Sequence, residues 1–312
     1  MEEGRGMGSG QPLGLKVVDL FSGCGGMSLG FLEEGFKIQA AFDNWGPAVE
    51  VYRRNFDHPA FKMDLSEIDR SIERIVPFAP DVIIGGPPCQ DYSTAGRQDE
   101  GRGRAALSLA FSEIVTALRP RFVVMENVAN SQKSQIWQRS VETLRNAGYG
   151  LSIQTLDAAF CGVPQWRKRT FVVGCLGEAD GFLDRGLVDG LAEKPMTMRD
   201  YFGDSLAIEH YFRVPTNYSR RAVFSIDEPS MTIRGVERPI PPGYKGNPRD
   251  SAPVNETRPL TIKERSMVQT FPEGFDFFGG KSDLNQMIGN AVPVNMARHV
   301  AKALKTYLEE GK

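Results

Sequence analysis

The sequence predicts an α/β fold, a mostly parallel sheet with crossover helices joined to a second, smaller and irregular domain. Three observations predict it. From Leu15 to about Cys175 short apolar runs alternate with helical periods, the pattern of a parallel sheet covered by helices. Three of those runs end on chemically distinctive residues. Lys16-Val17-Val18 leads into Asp19-Leu20-Phe21-Ser22-Gly23, Asp81-Val82-Ile83-Ile84-Gly85-Gly86 into Pro87-Pro88-Cys89-Gln90, and Phe122-Val123-Val124-Met125 into Glu126-Asn127-Val128. Beyond Cys175 the alternation loosens, and from about Pro195 to Pro259 the chain is rich in Pro, Gly, Ser and Arg.

Taken in order, strands are expected over 16–20, 37–42, 81–85, 121–125, 150–155 and 170–175, with helices over 46–55, 106–118 and 137–147. Each strand is a run of Val, Ile, Phe or Leu short enough for a sheet and bounded by Gly, Pro or Asp. Helical character resumes over 261–270. The stretch 294–308 places Met296, Val300, Leu304 and Leu308 at helical spacing, one apolar stripe of a surface helix. There is no internal repeat and no low-complexity block.

In open α/β sheets ligands bind outside the carboxyl ends of strands, so a glycine-rich turn, a thiol and a carboxylate are expected around one crevice. The two prolines before Cys89 fix their own φ angles and restrict the residue before them, so the thiol is aimed rather than packed. The turn from Asp19 to Gly26 is not G-x-G-x-x-G, because Ser28 holds the third glycine's place. That favours a nucleoside ligand without a pyrophosphate. Asp43 follows the next strand, where an acid can accept from both ribose hydroxyls.

Composition narrows the class. The chain has 312 residues, 41% of them apolar and 24% charged, as in soluble globular proteins. No apolar run approaches the roughly 20 residues of a membrane helix. Residues 1–14 read as a mobile polar tail without the apolar centre of a secretory signal. Cys24, Cys89, Cys161 and Cys175 show no C-x-x-C spacing, and His58, His210 and His299 are far apart. No metal site and no disulfide framework are expected, and a reducing cytoplasm is. The net charge of −2 conceals a segment, residues 211–249, with seven basic and three acidic residues. Phosphate binding needs such a local basic face, not a basic protein.

Four motifs then stand in a telling order: Gly86-Pro87-Pro88-Cys89-Gln90, Glu126-Asn127-Val128, Gln165-Trp166-Arg167-Lys168-Arg169 and Gly289-Asn290-Ala291-Val292-Pro293. With the Phe21-Ser22-Gly23 turn before them and Thr232-Ile233 before the last, the chain closely resembles the DNA (cytosine-5)-methyltransferases of bacterial restriction-modification systems. The likeness runs from about Leu15 to Leu308 and is weakest over 176–255. It implies a Rossmann-like sheet of the class I S-adenosylmethionine methyltransferase type. It also implies a catalytic and cofactor-binding domain from 15–185 with 286–312, and a target-recognition domain over 186–285.

The resemblance assigns roles by position. Cys89 is the nucleophile that adds to C6 of a flipped-out cytosine, Glu126 holds and protonates N3, Arg169 binds O2, and Arg167 contacts a phosphate. S-adenosylmethionine would lie on Asp19, Phe21, Ser22, Gly23, Gly25 and Gly26, with Phe21 on the adenine and Asp43 on the ribose. Asn44, Trp45, Asp64, Leu65, Pro87 and Leu107 would line the same pocket, closed by Asn290 and Ala291. The family usually places an aromatic directly after the ribose acid; here Asn44 precedes Trp45. No metal is implied.

The partner implied is double-stranded DNA, held by Gln90, Ser93 and Arg97 of a closing loop over 91–104 and by Arg220, Arg221, Thr232, Arg234 and Arg238. Arginines so placed suggest a short, guanine-containing site. A monomer in a prokaryotic cytoplasm, on the nucleoid when bound and paired with a restriction endonuclease, completes the expectation. The Cys-Phe-Thr motif of the transfer-RNA branch is absent from the recognition region, and Cys89, Glu126 and Arg169 are all present, unlike in a binding protein with a dead site.

Overall fold

The computed structural model describes residues 14–88, 106–217 and 219–311. It divides into two compact units. One holds the described residues up to Leu156, then Lys168–Gly190 and the chain from Ala297 onward; the other holds Asp157–Arg167 and Leu191–Met296. Only Gly14 of the expected tail lies among the described residues.

The first unit carries a seven-stranded sheet: β1 (Lys16–Leu20), β2 (Lys37–Asp43), β3 (Ala60–Lys62), β4 (Val82–Gly85), β5 (Phe122–Val128), β6 (Tyr149–Asp157) and β7 (Lys168–Leu176). Their order across the sheet is β3-β2-β1-β4-β5-β7-β6. The pairs from β3 through β5 are parallel, whereas β5 and β7 run antiparallel. The helices between strands are α1 (Gly26–Glu33), α2 (Gly46–Asn55), α3 (Ile68–Ile75), α4 (Ala106–Leu118) and α5 (Gln135–Asn146), followed by α6 (Asp184–Asp189) after the sheet. Val18, Leu20, Ile83, Val123 and Met125 have no exposed surface and join Phe111, Ile114 and Leu144 of the helices in one core. Such near-continuous apolar strands are what a sheet buried on both faces requires.

Two differences from the sequence reading matter. The three residues of β3 are too few to show a period. More important, β5 continues through Glu126 and Asn127 to Val128, because β7 pairs with it along that whole length, Glu126 opposite Phe171 and Val128 opposite Arg169. Residues read as a turn after a strand are therefore held by a ladder on the β7 side.

The second unit has little regular structure: α7 (Met198–Phe202), the antiparallel pair β8 (His210–Phe212) and β9 (Val223–Ser225), α8 (Ile262–Val268) and α9 (Lys281–Asn290). A last helix, α10 (Val294–Glu309), carries the chain from the second unit into the first. Its Val300, Ala301 and Leu304 are fully buried, and Tyr307 meets Phe122 and Phe182 edge-on at ring distances of 6.4 and 5.1 Å.

Register places the strand ends level. Leu20 pairs with Phe42 on one side and Gly85 on the other, and Gly85 pairs with Met125. One residue further along each strand stand Asp43, Phe21, Gly86 and Glu126. Gly85 is imposed by this arrangement. A Cβ there would lie 2.3 Å from the Leu20 carbonyl oxygen and 2.8 Å from the Phe111 ring.

A buried relay holds the turn after β1. Tyr52 on α2 donates its hydroxyl proton to Ser28 Oγ at 2.6 Å, and Ser28 donates to Asp19 Oδ2 at 2.6 Å. His58 Nε2 lies 2.6 Å from the Tyr52 hydroxyl. Tyrosine has one proton and gives it to Ser28, so His58 must donate from Nε2. Burial lowers the His58 pKa to about 4, which keeps the ring neutral. The Tyr52 and Phe56 rings stack 4.2 Å apart beneath Gly25. Gly25 has φ +96°, and a Cβ on it would meet the Phe56 ring at 2.4 Å. Asp19 itself is 1% exposed, and no donor reaches its Oδ1 among the described residues. Burial first, with Asp43 nearby, raises its pKa to about 7 against a hydrogen bond from Ser28 that lowers it.

Two predictions follow from this packing. Gly85→Ala should push β1 and β4 apart at the site end and lower unfolding free energy by about 1–3 kcal/mol in urea titrations. The raised pKa of Asp19 gives a pH-dependent cost. As pH rises from about 4 to 7 the unfolded chain ionises this group while the folded chain keeps it protonated, so stability falls through that window. The loss is complete above the folded value. Asp19→Asn keeps an acceptor for Ser28 but cannot ionise. Its stability relative to the wild type should therefore rise by a few kcal/mol between about pH 4 and pH 8. A constant difference across that range would show that Asp19 does not titrate as its burial demands.

Candidate active site

The level strand ends assemble the first unit's site. At the end of β1, Phe21 takes a left-handed conformation, φ +58°, unusual for a residue with a side chain. Its turn continues through Gly23, φ +54°, whose Cβ position faces open space, and Gly25 to Gly26 at the start of α1. Ser22 is anchored by donating its N–H to the Phe42 carbonyl at 3.1 Å. Asp43 at the end of β2 accepts from Gly23 N at 2.8 Å through Oδ2 and from Trp45 N at 2.7 Å through Oδ1. Each oxygen keeps a lone pair for a further donor. Burial raises the Asp43 pKa against those backbone bonds. Asn44 is exposed, and half-buried Trp45 caps α2.

Further along the rim, Asp64 is exposed and accepts from Ser66 N and Oγ through Oδ1 at 3.0 and 2.7 Å. Leu65 is 1% exposed in the core. Leu107 is half-buried on α4 and Pro87 is buried. A turn without side chains, carboxylates with spare lone pairs and apolar neighbours fit a nucleoside with vicinal hydroxyls. Asn290 and Ala291 lie in the second unit.

At the ends of β4 and β5 the chemistry changes. Glu126 is 8% exposed and forms an ion pair with Arg169, Oε1 to Nε 2.9 Å. The antiparallel register of β5 and β7 brings these two together across 43 residues of chain. Arg169 also donates from Nη1 to the Lys168 carbonyl at 2.8 Å. A Cβ on Gly86 would lie 3.2 Å from Glu126 Oε2, so the first residue past β4 must be small for the carboxylate to sit there. Asn127, not among the expected site residues, donates from Nδ2 to the Pro87 carbonyl at 3.1 Å and accepts from Val128 N. It ties the Pro-Pro turn to β5. Its only sequence signal was its place between Glu126 and Val128. Cys89, Gln90, Ser93, Arg97 and the loop over 91–104 lie outside the described residues.

In the second unit Arg167, expected on DNA, turns out to be internal, and half-buried Thr232 and Arg221 have partners within the protein. Arg167 is 2% exposed and cannot meet a phosphate as placed. Its guanidinium donates to the Ile233, Gly289 and Ala291 carbonyls at 3.1, 2.9 and 3.1 Å. Thr232 donates its hydroxyl to the Trp166 carbonyl at 2.6 Å. Arg221 is ion-paired with Glu228 and lies 4.3 Å over the Phe224 ring. Arg220, Arg234 and Arg238 are exposed, as phosphate or base contacts must be. Gln165, fully buried, donates to Gln269 Oε1 and accepts from Ile233 N, each at 2.8 Å. Gln269 in turn donates to the Ile288 carbonyl at 2.5 Å. The Gly289 turn packs against the Arg234–Gly235 backbone, where any Cβ would come within 2.3 Å of it.

Comparison with known proteins agrees with this geometry. Residues 15–306 match the C-5 cytosine-specific DNA methylases. The type II methyltransferase M.HgiDI of Herpetosiphon aurantiacus is 52% identical over 296 residues, 95% of this chain and 96% of that protein. M.HindV of Haemophilus influenzae is 52% identical over 298 residues, 95% and 98% of the two chains. Among solved structures, the S. pombe Dnmt2 methyltransferase shares the fold with a TM-score of 0.68 at 18% identity, over 96% of this chain and 99% of that one. The match spans every motif that builds the site, and the chain belongs to the C-5 cytosine-specific DNA methylases.

Proposed function

We propose that the protein transfers a methyl group from S-adenosylmethionine to C5 of a cytosine flipped out of a short, specific duplex sequence, through a covalent bond between Cys89 and C6. The observation that carries the reading is the Glu126–Arg169 pair at 2.9 Å, level with the glycine turn and beside the strand end that leads to Pro87-Pro88-Cys89. S-adenosylmethionine supplies an electrophilic methyl group when bound. Phe21, Asp43, Asp64 and Leu65 hold its nucleoside part, and the Gly23–Gly26 turn makes room for it.

The chain's own residues handle the base. C5 of cytosine is a poor nucleophile until a thiolate adds to C6 and turns the ring into an enamine. Cys89 supplies the thiolate, and the rigid Pro87-Pro88 turn, tied down by Asn127, aims it. Electron density flows to N3 as the C6–S bond forms, and a proton from Glu126 neutralises it there. Arg169 steadies the carboxyl group and hydrogen-bonds O2. After C5 gains the methyl group, a base removes the C5 proton, N3 returns its proton to Glu126, and the thiolate leaves as the aromatic ring is restored. The base must leave the stack for this, at a cost of a few kcal/mol.

The two-unit organisation supports a target-recognition role for the second unit, with exposed Arg220, Arg234 and Arg238 on DNA. The relatives' names support a place in a type II restriction-modification system, so we infer a monomeric enzyme of the prokaryotic cytoplasm that shields host DNA from a cognate endonuclease. No helix among the described residues is long and apolar enough to cross a membrane.

Glu126→Gln should slow methyl transfer by about 10²–10⁴-fold while duplex binding stays near the wild-type value, because proton donation matters in the transition state. Unchanged turnover would remove Glu126 from the chemistry. DNA with 5-fluorocytosine at the target should be trapped covalently when S-adenosylmethionine is present, since fluorine cannot leave as a proton does. Cys89→Ser should give no adduct, a serine hydroxyl being far less nucleophilic than a thiolate. On a denaturing gel, the absence of a cofactor-dependent shifted band with folded protein would refute the methyl-transfer reading. A band surviving Cys89→Ser would refute the nucleophile.

A further inference from the structure

The second unit contains a small recess beside Thr232-Ile233, with a cavity of about 10 Å³, walled by Tyr211 and Leu260 and lined by three arginines, Arg213, Arg234 and Arg265. One carboxylate, Glu237, shares the lining. It is taken: Arg265, 2% exposed, is ion-paired with Glu237 and donates to the Arg234 carbonyl. Two guanidiniums therefore remain without an ion pair of their own, and Glu237 serves all three arginines as the one nearby negative charge. Arg234 is exposed and solvated on the rim. Arg213 is half-buried, and among the described residues its one hydrogen bond runs from Nη2 to the Thr232 carbonyl at 3.2 Å. A guanidinium has five N–H donors, and a partly desolvated cation that shares a single carboxylate with two other guanidiniums is costly. Burial first, then the Arg234 charge, lowers the Arg213 pKa to about 10, which records the same cost. Arg221, on β9's approach, shows how this unit treats an arginine used for structure, with a carboxylate and an aromatic face. Arg213 makes neither contact.

We propose that this recess is a phosphate site, in which Arg213, flanked by Arg234, receives a non-bridging oxygen of the DNA backbone. The inference rests on the DNA-methylating reading above. An anion is what the excess of positive charge lacks, and the space decides its form. The cavity admits a single water-sized group, as a phosphate oxygen is. A guanine edge would have to present O6 and N7 side by side, which is wider than the opening volume allows. The contact therefore positions the duplex and carries no sequence information.

The test uses the full-length protein and a fluorescent duplex containing the sequence it methylates, found by bisulfite sequencing, beside a scrambled duplex. If the wild type methylates and binds neither duplex, the functional reading fails, independently of Arg213. Given binding, Arg213→Gln should reduce the slope of log affinity against log salt by about 0.9, the value for one phosphate. It should weaken both duplexes by the same factor. Arg213→Lys keeps the charge and should keep the slope and the discrimination between duplexes. An unchanged slope in Arg213→Gln would overturn the proposal. So would loss of discrimination in Arg213→Lys, which marks a bidentate base contact instead. The lysine variant preserves the cation of the recess, so it keeps the test decisive should the glutamine variant not fold.

Discussion

The level register of β1, β4 and β5 is the constraint on which the first unit's site depends. Parallel pairing of Leu20 with Gly85, and of Gly85 with Met125, brings three chemically different loops out of the sheet side by side. A shift by one residue in any pair would turn its side chains to the opposite face. The carboxylate of Glu126 would then point into the helices packed on the sheet. The register is protected where it matters: Gly85 lets the β1 carbonyl and the Phe111 ring approach, and the fully buried faces of these strands resist any slip.

The antiparallel β7 adds what a wholly parallel sheet could not. Its start lies beside the end of β5, so Arg169, at the beginning of one strand, faces the carboxyl-end residues of the other. Arg169 reaches Glu126 with most of both side chains out of solvent. The chain passes from the second unit to the first between Arg167 and Lys168. Within Gln165-Trp166-Arg167-Lys168-Arg169, alternate residues thus do different work. Gln165 and Arg167 tie together segments of the second unit that have almost no helix or strand to organise them. Arg169 pairs with Glu126 in the first.

Much of this was legible in the sequence, and the limits have physical causes. The first unit's sheet strands other than β3, and helices α2, α4, α5, α8 and α10, showed because burial imposes a period on side chains, and the motif glycines because tight turns demand them. What failed to show was direction. Arg167 and Thr232 are residue types that serve DNA as readily as they serve backbone carbonyls, and their partners within the protein are far away in the chain. Those partners, Gly289 for Arg167 and Trp166 for Thr232, lie 66 to 122 residues away in the chain. The relay from His58 through Tyr52 and Ser28 to Asp19 was hidden for the same reason, since its members occupy three different elements.

The second unit then explains how a protein with a net charge of −2 can engage a polyanion. Its arginines divide into two populations. Arg199, Arg221, Arg258 and Arg265 are paired with Glu209 and Asp227, Glu228, Glu264 and Glu237, and in a unit with so little hydrogen-bonded ladder they act as cross-links. Each pairing removes a positive and a negative charge together from the field that a duplex would feel. Apart from Arg167, which is held by carbonyls, the arginines left over, Arg213, Arg220, Arg234, Arg238 and Arg249, form no such ion pair among the described residues. Net charge counts both populations and so conceals the second, whereas a phosphate responds to local field within about a Debye length of 10 Å. The acidic residues of this unit thus decide which arginines keep a positive field at the surface.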